Sequence, residues 1–271
     1  MELSVRPAID VPLETLIDLW NSAFADYVTG PVRFTTSLMA QFLYASDINL
    51  NFSQVAYGDD RPAGIAMVSR QGWTVRLAGM GISADFQGKG IGKHLLSQLL
   101  EQARGRGDRQ YVLKLSSRTN ALSNCMRTWA SDHGSIDGLH RRGLAGDPDP
   151  ALTEIDIYEV AQALMQHGDP KLPWQVSGSH IMRYGAPTRA YRLGNAVAAI
   201  SDPNAANIRL IAMIVAPAQQ HQGEGSRLLR ALAGKYVGKQ WFVPPICPQR
   251  FGEFLVKHGF KQDRLNQVLM E

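Results

Sequence analysis

The chain has 271 residues, of which 45% are hydrophobic and 19% charged, with a net charge of +4. That length suits two compact domains of about 120 to 150 residues, and basic residues scattered outside short clusters at Arg104–Arg109 and His140–Arg142 exclude a strongly nucleic-acid-binding surface, although a polyanionic cofactor would suit them. Apolar runs such as Leu210–Ala218 fall short of the roughly 18 residues of a membrane span, the N-terminus reads as no secretory leader, and Cys125 and Cys247 stand in no metal-ligand spacing. A cytoplasmic protein with no membrane partner, no nucleic-acid partner and no metal is therefore expected.

In chain order, Leu3–Pro7 is strand-like, and Pro12 opens a helix with Leu16, Leu19, Trp20 and Ala23 on one face. A loop with Asp26, Tyr27, Gly30 and Pro31 leads to a second helix near Ser37–Ala45. Phe52–Tyr57 and Gly64–Gln71 flank the turn residues Gly58–Pro62, which predicts a hairpin. Strand Thr74–Ile82, a glycine loop, helix Ile91–Arg104 and strand Arg109–Leu115 follow. Gly143–Pro150 is the linker candidate, giving domains at 1–146 and 147–271. Beyond it the pattern predicts a helix near Glu154–Gln166, strands Arg189–Leu193, Ala196–Ser201 and one from Ile208, and a second glycine loop. Helix Ser226–Tyr236, strand Gln240–Val243, helix Gln249–Lys257 and a last strand through Val268 complete the order.

The halves share a motif. The segment from Val75, VRLAGMGISADFQGKGIGKHLL, aligns without a gap on the segment from Ile208, IRLIAMIVAPAQQHQGEGSRLL. Arg76/Arg209, Gln87/Gln220, Gly90/Gly223, Gly92/Gly225 and Leu95/Leu228 coincide, the mark of a fused pair of related domains.

A strand that delivers the chain to a glycine turn, followed by a helix, turns backbone N–H groups and the positive end of a helix dipole toward one anion. A lone Gly-x-Gly is a tight connection; recurrence in one context points to a phosphate cradle. It is no Walker loop, because Gly92 is followed by Lys93 and His94. A dinucleotide fingerprint would follow the first strand of its unit, whereas this loop follows a hairpin, although Asp108 stands at a tolerable distance for a ribose ligand.

The order helix, helix, hairpin, strand, Q-x-x-G-x-G loop, helix resembles the GNAT superfamily of acyl-CoA-dependent N-acyltransferases, over most of both halves. The resemblance implies an α/β (α+β) fold of two tandem GNAT-like domains, each a mixed central sheet flanked by helices. It implies that Gln87, Gly88, Lys89, Gly90, Ile91, Gly92 and Lys93 cradle the pyrophosphate of acetyl-CoA, the acyl-donor substrate. Met80, Gly81, Ile82 and Ser83 would offer backbone groups to the pantetheine arm. Trp20, Phe24, Asp26 and Tyr27 resemble positions that shape the pocket for a small-molecule or peptide amine; packing and a solvated loop are the alternative. No feature of the sequence sets the oligomeric state.

Two residue-level readings assign the ligand to the first domain. Gly79 and Gly81 inside a strand mark a bulge or close backbone approach, read as an opening for a ligand, and the second copy has Ala212 and Ile214 there. Lys89 and Lys93 add positive charge to the first loop, whereas Glu224 would repel a pyrophosphate at the second by several kcal/mol. The second domain is expected to be a degenerate copy.

The catalytic residues are not legible. Relatives use a tyrosine in a late helix reading L-Y-x-x-x-G-F to protonate the thiolate. In Phe254–Phe260 the Gly-Phe ending stays but Leu255 replaces tyrosine, and the first domain loses the match after Leu115, with Ala130 at the tyrosine position if Gly134 is the motif glycine. With codons built from the third base of one triplet and the first two of the next, Ala121–Ser131 permits AQQLYANLGF, which has the missing spacing. The gene sequence across Ser116–His140 tests whether that segment is out of frame. A non-catalytic acyl-CoA-binding or scaffold protein is the alternative to an enzyme.

Overall fold

The structure is a computed structural model and describes residues 1–25, 33–116, 132–169, 174–247 and 249–270. The chain divides into two compact units, Met1–Gly134 with Val268–Glu271, and Ser135–Gln267. Among the described residues no helix is long and apolar enough to cross a membrane, and no group of three His, Cys, Asp or Glu is placed to hold a metal.

The first unit contains β1 (Leu3–Pro7), α1 (Leu13–Ala23), α2 (Thr36–Ala45), β2 (Gln54–Gly58), β3 (Arg61–Gln71), β4 (Thr74–Ile82), α3 (Ile91–Gly105) and β5 (Gln110–Ser116). Its strands lie in the order β1-β2-β3-β4-β5, antiparallel until β4, which pairs β5 in parallel. Pro12 caps α1, as its fixed φ allows, and Thr35 caps α2 by accepting from the Leu38 N–H at 3.3 Å. The hairpin turn puts Asp59 and Asp60 at φ 47° and 60°, the left-handed pair of a two-residue turn that short polar side chains tolerate. Leu16, Trp20 and Met39 of α1 and α2 cover one face of the sheet with Val55, Ile65 and Met67. Ile91, Leu95, Leu96 and Leu99 of α3 cover the other with Ala66, Val75 and Met80. Each such leucine contributes about 1.5 to 3 kcal/mol by burial.

The second unit contains most of β6 (Asp132–Arg142), then β7 (Thr153–Ile155), α4 (Ile157–His167), α5 (Gly178–Ile181), β8 (Arg189–Leu193), β9 (Ala196–Ile200), β10 (Asn207–Val215), α6 (Glu224–Lys235), β11 (Gln240–Cys247), α7 (Gln249–Lys257) and most of β12 (Lys261–Met270). The strand order is β12-β6-β11-β10-β9-β8-β7. Leu228, Leu229 and Leu232 of α6 pack with Trp241, Leu255 and Tyr191 on one face, and Val160, Ala161 and Leu164 of α4 pack with Ile181, Val197 and Ile211 on the other.

Several elements differ from the sequence reading for identifiable reasons. The helix expected near Glu154–Gln166 begins at Ile157, because Asp156 caps it by accepting from the Tyr158 N–H at 2.7 Å and Thr153–Ile155 pairs with β8 as a strand. Segment Gly143–Pro150 packs on α6: Leu144 is buried, and Gly146 and Gly234 allow backbone contact with Arg230 and with Asp147 and Pro148. β11 runs past Val243 through Pro244 and Pro245, where its pairing with β6 shifts register, as residues without an N–H require.

Candidate functional site

The loop of the first unit is built almost wholly by local main-chain interactions. β4 ends at Ile82, a tight 3-10 turn holds Ala84–Phe86, and the Phe86 ring is buried beneath it. Gln87 then turns back, its Nε2 donating to the Ile82 carbonyl at 3.1 Å. Gly88 and Gly90 stand at φ 75° and 80°, and no atom lies within 4 Å of where a Cβ would be, so glycine is favoured there by backbone conformation and not by crowding. Gly90 is the residue before α3 and supplies no side-chain cap. The first N–H groups of α3 thus have no intrahelical partner and lie behind an open turn, beside exposed Lys89 and Lys93. Arg61 lies 5.2 Å over the Phe86 ring and is already paired with Asp85 at 3.4 Å, so Lys89 and Lys93 are the cations that count here. Helix dipole and cations favour an anion at this point.

Beside the loop, β4 forks away from β5. Pairing with β5 covers Thr74–Leu77 against Gln110–Leu113 and, among the described residues, goes no further. On the other edge Leu77 faces Val68 and Gly79 faces Met67, which leaves Ala78 as an extra residue, a β-bulge. From Ala78 to Ile82 the strand is held by β3 on one side, and no described strand pairs with its other side, the arrangement an extended ligand could use.

Gly79 and Gly81 have a different origin from the one the sequence suggested. A Cβ at Gly79 would strike the Trp20 ring, and one at Gly81 would lie 2.7 Å from the Ala23 Cβ and 2.8 Å from the Phe24 Cε2. These glycines make room for α1. Trp20 is buried among Phe24, Phe34 and Phe42 at ring separations of 4.5, 5.9 and 5.2 Å. Trp20 and Phe24 therefore line the inner side of the fork, and Asp26 and Tyr27 lie outside the described residues.

The second unit repeats the main chain. Gln220 Nε2 donates to the Val215 carbonyl at 3.0 Å, Gly223 at φ 87° precedes α6, and Ile211 is the bulged residue between Leu210 opposite Ile200 and Ala212 opposite Ala199. His221 takes the left-handed place of Gly88 at φ 65°. The side chains differ. Where Ile91 enters the core, Glu224 turns to the β8–β9 turn and accepts from the Asn195 N–H at 2.8 Å and from its Nδ2 at 2.9 Å. Its carboxylate thus stands at the start of α6, the place of positive helix potential.

Other candidates resolve into structure. Asp108 is no ribose ligand: its side chain is fully enclosed, with Arg70 Nε at 2.6 Å and Arg106 Nη2 at 3.2 Å, and both guanidinium groups lie over Phe52. Leu255 is fully buried in the second unit's core. Residues 117–131, with Cys125, Ala130 and the possible shifted frame, lie outside the described residues. Sequence reasoning passed over Arg76, which is 6% exposed on β4 next to the fork; its pairing with Arg209 in the duplication was the available signal.

Residues 13–124 match the Acetyltransferase (GNAT) family. No protein of curated function matches the sequence. Among solved structures, a tandem GNAT protein from the clavulanic acid biosynthesis pathway superposes with a TM-score of 0.63 at 15% identity, covering 99% of this chain and 98% of its own. A GCN5-related N-acetyltransferase from Kribbella flavida gives 0.65 at 13% identity over 99% of this chain and 70% of its own. One from Sphaerobacter thermophilus gives 0.62 at 12% identity over 99% and 94%. The match to the GNAT acetyltransferase family thus lies in the first half of the chain, and the whole chain has the fold of a two-domain GNAT protein.

Proposed function

We propose that the protein is an acetyl-CoA-dependent N-acetyltransferase acting on a primary amine, with its active site in the N-terminal domain (residues 1–146) and a degenerate second domain (residues 147–271). The observation that carries this reading is the uncapped start of α3 behind Gln87–Gly90, flanked by Lys89 and Lys93 and continuous with the open edge of β4. The pyrophosphate lies on the α3 N–H groups, and the pantetheine arm pairs with Met80–Ser83 as a further strand would. At the fork the amine nitrogen attacks the thioester carbon, the C–S bond breaks, the thiolate takes up a proton and the new amide nitrogen loses one. Backbone N–H groups beside Ala78 stabilise the oxyanion.

Titration calorimetry with acetyl-CoA tests the reading. One site per chain is expected, lost in Gly92→Trp and kept in Gly225→Trp. A Cβ at Gly92 meets Ile82 and Met80 only at ordinary contact distances, 3.7 and 3.9 Å, and an unchanged circular dichroism spectrum checks that Gly92→Trp keeps the fold. Binding that survives Gly92→Trp overturns the assignment. A second reading, a non-catalytic acyl-CoA-binding protein, is favoured by the missing tyrosine in both halves, where the sequence has Leu255 and, if Gly134 is the motif glycine, Ala130. Amine-dependent thiol release separates the two.

A further inference from the structure

We propose that Arg76 binds a carboxylate of the amine acceptor, which makes amino acids or peptides with a nearby free carboxylate the substrate class and disfavours polyamines. This rests on the proposed N-acetyltransferase reading and adds the acceptor's chemistry to it.

Arg76 is 6% exposed, and its Nη1 is buried with no hydrogen-bond partner. Burial lowers its pKa to about 10, so it stays charged at neutral pH. Among the described residues it has no counter-charge, and a desolvated cation in that state is unfavourable unless a ligand supplies the charge.

Its place in the register sets which ligand that is. Val75 and Leu77 pack with α3, so Arg76 lies on the opposite face, with Ala78, which packs among the α1 and α2 residues. Ser69, directly across from Arg76, donates to the Ser46 carbonyl at the end of α2, which confirms that face. Arg76 pairs with Val112 one step before the last β4–β5 pair, Leu77 with Leu113, and two residues before the bulge. Two residues of strand span about 7 Å, within reach of a guanidinium. Trp20, against Gly79 on the far side of the bulge, also carries a buried Nε1–H without a partner. Two unpartnered donors thus bracket Ala78 on the sheet face away from α3. A carboxylate has two acceptor oxygens and the opposite charge, and an arginine takes it with both. In the second unit Arg209 likewise has a buried Nε without a hydrogen-bond partner among the described residues, but its guanidinium lies 5.8 Å over the Tyr184 ring, a contact with no counterpart at Arg76 among those residues.

The test has an arm that needs no turnover. Without ligand, Arg76→Met is expected to raise the Tm by a few degrees, because it removes an uncompensated buried charge. A comparable fall would show that a carboxylate of the chain itself pairs with Arg76 and would overturn the proposal. A panel of L-amino acids, but not their amides, is expected to raise the Tm of the native chain and to leave Arg76→Met unmoved. In acetyl transfer the same panel is expected to show about a 10- to 100-fold kcat/KM preference for the acid over the amide. That preference falls to near unity in Arg76→Met and is partly kept in Arg76→Lys, with acetyl-CoA affinity the same in all three. Equal use of acids and amides by the native chain, or an unchanged preference in Arg76→Met, overturns the proposal. Loss of acetyl-CoA binding by the native chain would instead defeat the N-acetyltransferase reading, while the Tm arm still reports on Arg76.

Discussion

The two glycine turns have the same main chain and opposite charge. Gln87 and Gln220 make the same bond to the end of the preceding strand, Gly90 and Gly223 make the same left-handed entry to a helix, and Ala78 and Ile211 are the same bulge. At the next position one unit has Ile91 in its core and the other has Glu224 held by Asn195. The shape of such a turn comes from neighbours within a few residues and survives exchange of its side chains. Its affinity for an anion comes from side chains that can change without disturbing the shape.

The largest expected effect concerns the corners after the two helices. Asp108→Ala leaves Arg70 and Arg106 over Phe52 without their carboxylate and is expected to cost about 3 kcal/mol in urea unfolding. The second unit turns at Gly238 with half-buried Lys239 donating to Asn204 and Ala205 carbonyls, so Lys239→Ala is expected to cost about 1 kcal/mol. Equal costs would remove the distinction.

Charge comes next. Lys89→Glu with Lys93→Glu is expected to weaken acetyl-CoA binding about 100-fold and to flatten its salt dependence. Glu224→Gln is expected to leave one site per chain; a second site in calorimetry would show that charge alone silences the second turn. Leu255→Tyr inserts a hydroxyl into a closed core and is expected to lose about 1 to 3 kcal/mol of stability with no gain in thiol release. His221→Gly relieves a left-handed side chain and is expected to add about 1 kcal/mol, read as a small rise in Tm.

What could be read from residue order alone was what neighbours along the chain decide. The bounds of β4, the start of α3, the hairpin at Asp59–Asp60 and the repeat of the cradle were all legible, because apolar period, turn residues and left-handed glycines act over a few positions. Tertiary structure decided the rest. β6, with the sequence DHGSIDGLHRR, has no apolar alternation and is a strand because β11 lies beside it. Gly79 and Gly81 looked like an opening for a ligand until α1 brought Trp20 and Phe24 against them. Glu224 was a repelling charge in sequence and is a hydrogen-bonded one in the fold, through Asn195, 29 residues away. Arg76 in sequence is one polar residue in an apolar strand. Its burial exists only once β3 and β5 flank it in the sheet, since desolvation is a property of surroundings that no single segment carries.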